Sequence, residues 1–122
     1  MYRVLIVDDH AAIRQGVRQV LTDQLHPDAQ GEASSADEAI AMVEHDDWDV
    51  VILDVNMPGK SGMEALKAMK RHDPGLPVIM FSAFPPEQVA ARFISAGAHQ
   101  YVSKGGPAEE LVQAIRSAVR PH

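Results

Sequence analysis

The chain alternates five short apolar runs with five segments in which apolar residues recur at helical spacing. Short runs of this kind are typical of buried parallel strands, whereas helices show a period of 3.6 residues over longer segments. The expected strands cover residues 3–7, 29–33, 50–53, 78–81 and 99–102, and the second has the weakest pattern because its residues are small or polar. This strict alternation of strands and helices along the chain predicts an α/β fold, in which a doubly wound parallel sheet of five strands is flanked by five helices.

The helices are predicted from apolar stripes and from their end signals. One face of the first helix, over about residues 10–25, carries Ile13, Val17, Val20, Leu21 and Leu25. The other helices are expected to begin at a capping box over residues 35–38, at Gly62, at Pro85-Pro86 and at Pro107. Gly97 is the predicted C′ residue of the fourth helix, and Pro107 is predicted at the first helical position of the fifth, which ends at residues 120–121.

Composition narrows the class of protein. With 122 residues, 46% of them apolar and 23% charged, the chain has the size and composition of one globular domain. A net charge of −6 argues against direct nucleic-acid binding by this domain. No cysteine and no long apolar span are present, so we expect no disulfide or thiolate site, no membrane segment and a cytoplasmic location. The histidines lack ligand-like spacing and are expected to be solvated surface residues: His10, His26, His45, His72, His99 and His122.

Carboxylates stand at the ends of two apolar runs. Asp8 and Asp9 follow the first expected strand, and Asp54 follows the third. Two adjacent carboxylates repel each other, and a divalent cation such as Mg²⁺ relieves that repulsion. Taken alone, the pair favours the alternative in which Asp9 is the N-cap of the first helix, because acidic residues before a helix are common. Asp54 favours the cation site, because the carboxyl ends of parallel strands meet at one edge of the sheet, where α/β proteins bind ligands.

Two further polar residues stand at strand ends. Ser82 ends the fourth strand, and Lys104 follows the fifth. Taken singly, they are typical of a turn residue and of a solvated surface charge. Together with the three carboxylates, they predict a site for a divalent cation and a phosphoryl group.

Four motifs carry a family resemblance: Asp8-Asp9, Leu53-Asp54-Val55-Asn56-Met57-Pro58 with Gly62, Ser82-Ala83, and Tyr101-Val102-Ser103-Lys104. In this combination and order the chain resembles the receiver (phosphoacceptor) domain of two-component response regulators. The resemblance covers essentially all of residues 1–122 and implies one receiver domain, with the output domain beyond this chain. Residues 4–16 and 104–115 are most similar to NarL/LuxR-type regulators. The family implies a flavodoxin-like fold with strand order 2-1-3-4-5.

The resemblance implies a phosphoacceptor and a metal site. Asp54 would be the nucleophile that takes a phosphoryl group from a histidine kinase. Asp9, Asp54 and the main-chain carbonyl of Asn56 would hold Mg²⁺, and Asp8 would assist through water.

The resemblance also implies residues that respond to the phosphoryl group. Lys104 would pair with its oxygens and Ser82 would hydrogen-bond one of them, while Tyr101 would turn inward as Ser82 moves. Phe84, two residues past Ser82, is expected to line the approach to the phosphoryl group and to hinder the attacking water. Packing of the Phe84 ring on the fourth helix is an equally good alternative.

The implied function is a Mg²⁺-dependent switch that catalyses only its own phosphorylation and hydrolysis, so it is not a turnover enzyme. It would control a linked output domain, a helix-turn-helix transcription regulator, and phosphorylation would alter self-association on the surface of the fourth helix, fifth strand and fifth helix. One alternative is a haloacid-dehalogenase-type phosphatase, but neither the first nor the third strand ends in the Asp-x-Asp motif of that family. A degenerate receiver acting only through protein contacts is the other alternative.

Overall fold

The computed structural model describes residues 2–119. The elements are β1 (Arg3–Val7), α1 (Ala11–Gln24), β2 (Ala29–Ala33), α2 (Ala36–His45), β3 (Val50–Asp54), α3 (Gly62–His72), β4 (Val78–Ser82), α4 (Pro86–Ser95), β5 (Gln100–Ser103) and α5 (Ala108–Ala118). The strands pair in parallel in the order β2-β1-β3-β4-β5. The doubly wound α/β fold and its strand order are therefore confirmed.

Helices cover both faces of the sheet. α1 and α5 pack on one face through side chains such as Leu21 and Ile115. α2, α3 and α4 cover the other face, with Leu66 and Phe93 in its core. Because the central strand β3 is buried along its whole length, its sequence is a continuous apolar run up to Asp54. Burying a large apolar side chain contributes about 1.5–3 kcal/mol, so this core holds the strand ends, and the polar residues on them, in fixed positions.

The capping of α2 and α3 differs from the expectation. At α2, Ser35 Oγ accepts a hydrogen bond from the Glu38 main chain, but the Glu38 carboxylate accepts one from Ser34 instead of Ser35. Only half of the predicted capping box therefore forms. The complete capping box lies at α3, between Ser61 and Glu64, whose Ser-x-x-Glu spacing is the same signal in the sequence.

The ends of α4 and α5 test two further predictions. Gly97 has φ of +113° and donates to the Ile94 carbonyl, which confirms it as the C′ residue of α4. Pro107 is the N-cap of α5 and not its first helical residue, because its ψ of 145° is extended. α5 ends at Ala118 with Val119 as its C-cap, and residues 120–121, where the sequence predicted the end, lie outside the described residues. Within residues 2–119, no helix is both long and apolar enough to span a bilayer.

Candidate functional site

The parallel order brings the polar strand ends to one edge of the sheet. Asp8 and Asp9 follow β1, Asp54 is the last residue of β3, Ser82 is the last residue of β4, and Lys104 follows β5. These four strands are neighbours, in the order β1-β3-β4-β5. The structure therefore gathers the side chains that the sequence analysis placed at this edge.

Lys104 lies between two buried carboxylates. Its Nζ atom is 2.6 Å from Asp8 Oδ2 and 3.3 Å from Asp54 Oδ1. The exposed fractions of the three side chains are 15% for Lys104, 3% for Asp8 and 5% for Asp54. Lys104 is therefore the ammonium of a buried charge cluster and not a solvated surface lysine.

The pKa values of the two carboxyls that face Lys104 are shifted in opposite directions. Burial raises the pKa of Asp54 above its ordinary value, and the nearby Asp8 charge adds to this effect, although Lys104 opposes it. Burial also raises the pKa of Asp8, but hydrogen bonds from Lys104 and His10, with the Lys104 charge, outweigh burial and hold that pKa below its ordinary value. Asp8 is thus the ionised partner of Lys104, and Asp54 is the carboxyl with more to gain from additional positive charge.

One carboxylate oxygen of Asp9 lacks a hydrogen-bond donor among the described residues. Its Oδ1 atom is buried and accepts no hydrogen bond from residues 2–119. The N-cap alternative for Asp9 is wrong, because His10 occupies the N-cap position of α1. Ligand atoms of Asp8, Asp9, His10 and Asp54 all lie within 4.8 Å of one another. A divalent cation would satisfy the orphaned oxygen, and these hard oxygen donors fit Mg²⁺.

His10 borders the site although it is a surface histidine, as expected, with its side chain 66% exposed. Its Nδ1 atom lies 3.1 Å from Asp8 Oδ1 and 3.2 Å from Asp9 Oδ1. Spacing between histidines does not indicate this position, because the neighbours of His10 at the site are carboxylates. The usable signal was its position directly after two strand-end aspartates.

A cavity of about 340 Å³ opens beside Asp54, and Phe84 stands on its wall together with Asn56, Ser82 and Lys104. Phe84 is 41% exposed, so it lies outside the buried core. The Phe84 main chain links two other site residues, because its N–H donates to Ser82 Oγ at 3.1 Å and its carbonyl accepts from the Tyr101 hydroxyl at 3.0 Å.

The loop after β3 is held close to the strand. The Gly62 N–H donates to the Val55 carbonyl, and a Cβ atom on Gly62 would lie 2.5 Å from the Asp54 carbonyl oxygen. A side chain at Gly62 would therefore displace the loop. Within the loop, the Asn56 N–H points to Asp54 Oδ1 at 3.4 Å, which places the Asn56 backbone beside the carboxylate.

Comparison with known protein families identifies the family of this chain. The sequence family described as the response regulator receiver domain matches residues 4–116 of this chain. The chain belongs to this family. Receiver domains are not a classical enzyme family, and the match leaves the phosphatase alternative without support.

Curated relatives agree with the family match. The receiver domain is 38% identical over 117 residues to the response regulator UvrY of Escherichia coli K12, an alignment that covers 96% of this chain and 54% of UvrY. It is 35% identical over 116 residues to the response regulator GacA of Pseudomonas aeruginosa, covering 95% of this chain and 54% of GacA. The chain therefore spans about half the length of these relatives.

Solved structures show the same fold. A two-component response regulator of the LuxR family from Aurantimonas sp. superimposes with a TM-score of 0.90 at 31% identity, covering 96% of this chain and 84% of that one. The response regulator domain of Thermotoga maritima CheB gives a TM-score of 0.89 at 30% identity, with 99% of both chains covered. The expected likeness to LuxR-type regulators is confirmed by the first of these.

Proposed function

We propose that this receiver domain is a Mg²⁺-dependent phosphoacceptor switch of a two-component system, phosphorylated on Asp54 by a histidine kinase. The observation that carries the proposal is the environment of Asp54. Its carboxylate is buried at the end of the central strand, faces the open cavity, and has Lys104 at 3.3 Å. Asp8 and Asp9 lie within 4.8 Å of it, counted between ligand atoms.

Phosphotransfer would break the bond between phosphorus and a kinase histidine nitrogen and form one to an Asp54 carboxylate oxygen, giving an acyl phosphate. Asp9, Asp54 and the Asn56 carbonyl would hold Mg²⁺, with Asp8 assisting through water. Bound Mg²⁺ would neutralise charge on the transferred group, which suits a loose phosphoryl-transfer transition state. The raised pKa of Asp54 supports this assignment, because a carboxyl with uncompensated charge is stabilised by an added cation.

Lys104 and Ser82 would bind the oxygens of the phosphoryl group on Asp54. Its oxygens on Asp54 would compete with Asp8 for the Lys104 ammonium, which already lies near Asp54. Ser82 Oγ accepts from the Phe84 N–H, and a hydroxyl that accepts one bond can still donate its own proton to a phosphoryl oxygen.

The hydrogen bonds around Phe84 support a route from the site to the surface. Movement of Ser82 toward a phosphoryl group would alter its bond to the Phe84 N–H, and the carbonyl of the same residue holds the Tyr101 hydroxyl. Phosphorylation would then shift a balance between two arrangements of Tyr101, on the face formed by α4, β5 and α5.

The output would lie in a covalently linked domain outside this chain. Because the chain spans about half of its UvrY and GacA relatives, and a LuxR-family regulator shares its fold, we assign it a helix-turn-helix transcription regulator as output. The receiver itself, with a net charge of −6, would not bind DNA and would signal in the cytoplasm through changes in self-association.

The test is phosphorylation by a small phosphodonor, acetyl phosphate, in Mg²⁺, followed by intact mass. We expect one base-labile phosphoryl group on the wild type, none on Asp54→Asn, and none when EDTA removes the metal. Asp46→Asn is the matched control, because Asp46 is an exposed carboxylate at the end of α2. Wild-type labelling of Asp54→Asn would refute the assignment, and absence of both labelling and Mg²⁺ binding would favour a degenerate receiver.

A further inference from the structure

His10 is held against the acidic pair by its own backbone. As the N-cap of α1 it has an extended backbone, with φ of −96° and ψ of 111°, and its N–H donates to Asp8 Oδ1 at 2.9 Å. This bond fixes the start of the side chain, whose Nδ1 atom then lies 3.1 Å from Asp8 Oδ1 and 3.2 Å from Asp9 Oδ1. The ring borders the cavity beside Asp54.

The distance of 3.2 Å between His10 Nδ1 and Asp9 Oδ1 is that of neighbouring ligands around one ion. In an octahedral site with bonds of about 2.1 Å, adjacent donor atoms lie about 3.0 Å apart. The other distance, 3.1 Å from His10 Nδ1 to Asp8 Oδ1, is a hydrogen bond, and a cation bound to Nδ1 would take the place of its proton. The oxygen at 3.2 Å, Asp9 Oδ1, is also the buried atom that accepts no hydrogen bond within residues 2–119. A single cation would be a partner for this oxygen and for the imidazole nitrogen together.

We propose that His10 Nδ1 is a further ligand of the metal site, and that it shifts the preference of this receiver from Mg²⁺ toward first-row transition ions such as Ni²⁺ and Co²⁺. The proposal rests on the proposed function, since it assumes that Asp9 and Asp54 bind a divalent cation. Carboxylate, carbonyl and water oxygens suit Mg²⁺, whereas an imidazole nitrogen suits the later transition ions. A receiver with an all-oxygen site lacks this source of selectivity.

As a consequence, the properties of the site would depend on which divalent metal is bound. His10 and Phe84 both line the cavity beside Asp54, so a metal-bound imidazole would border the approach to the phosphoacceptor. The metal bound would therefore set both the charge next to the phosphoacceptor and the position of the His10 ring.

The test compares Mg²⁺ and Ni²⁺ binding by calorimetry in the wild type, His10→Gln, Asp9→Asn and His45→Gln. Glutamine keeps a polar side chain but removes the nitrogen ligand, and His45, on the last turn of α2, controls for binding by surface histidines. We expect the ratio of the Mg²⁺ to the Ni²⁺ dissociation constant to fall at least about tenfold in His10→Gln, because losing a ligand should weaken binding no less than losing a residue that supports a ligand. His45→Gln should leave the ratio unchanged, and Asp9→Asn should weaken both ions.

A spectroscopic readout separates ligation from a structural effect. Pulsed electron paramagnetic resonance of bound Cu²⁺ should show coupling to an imidazole nitrogen that His10→Gln removes and His45→Gln retains. An unchanged ratio or an unchanged nitrogen coupling in His10→Gln would overturn this inference while Mg²⁺ binding, and with it the proposed function, stands. If the wild type binds neither Mg²⁺ nor Ni²⁺, the proposed function itself fails.

Discussion

Removal of the Lys104 ammonium should make the stability of the fold depend on the metal. In Lys104→Met most of the apolar stem remains, but the charge that lies 2.6 Å from Asp8 and 3.3 Å from Asp54 is lost. Asp8 and Asp54 then face each other as buried carboxylates without their ammonium partner. Breaking a buried pair by removing one partner costs about 3–5 kcal/mol.

We expect a loss near the lower end of that range, about 3 kcal/mol, because Asp8 keeps its hydrogen bond from the His10 N–H. For a chain of this size, such a loss lowers the melting temperature by roughly 10 °C. A cation that binds only the folded state stabilises it, by about 2.7 kcal/mol at a hundred times its dissociation constant. Saturating Mg²⁺ should therefore recover most of the loss, since it replaces the missing positive charge.

The assay is urea and thermal unfolding of Lys104→Met in EDTA and in Mg²⁺. Lys60→Met is the matched control, because Lys60 Nζ also lies 2.6 Å from a carboxylate, that of Asp37, but both side chains are exposed, at 41% and 78%. An exposed pair contributes little, so the control should unfold like the wild type in both buffers. The reasoning is refuted if Lys104→Met is as stable as Lys60→Met in EDTA, or if Mg²⁺ fails to stabilise it.

Three further predictions concern the acceptor, its access and its output. Phe84→Ala should shorten the lifetime of the phosphorylated protein without changing Mg²⁺ affinity, because the exposed ring no longer hinders water at the cavity; an unchanged or longer lifetime in a phosphate-release assay would contradict this. Asp54→Asn should stabilise the metal-free fold at neutral pH. Since the folded pKa of Asp54 is raised, its protonated form is favoured, so the gain should vanish in urea titrations at a pH below the ordinary carboxyl range; an equal gain at acid pH would count against the cause. Beryllofluoride with Mg²⁺ should change self-association in sedimentation, and equal association in both states would leave signalling to the output domain alone.

Much of the site follows from the sequence because strand ends are easy to locate. Asp54 stands at the end of a continuous apolar run, so its place at the sheet edge follows from the pattern, and the sheet order brings Asp8 and Lys104 beside it. Their pairing at 2.6 Å does not follow from the pattern, since it depends on which of two carboxylates the ammonium approaches. The Asp9 pattern fitted both a cap and a ligand, and only the backbone of His10 decides between them.

Other details required geometry that residue types do not encode. Proline fixes φ but leaves ψ open, so Pro107 suits either the N-cap or the first helical position. Packing on α4 and access to Asp54 were equally good explanations for Phe84, and its place on the cavity wall depends on the path of the loop after β4, which residue types do not encode. His10 was missed because its partners are carboxylates next to it in sequence and not other histidines.

The central claim is that Asp54 is the phosphoacceptor, and the most direct measurement locates the phosphoryl group. The wild type is phosphorylated with acetyl phosphate and Mg²⁺, the acyl phosphate is reduced with borohydride, and the peptides are sequenced by mass spectrometry. The account predicts that the aspartate at position 54 alone is converted to homoserine. Conversion at Asp8 or Asp9, or a phosphoryl group retained on a histidine, would contradict it.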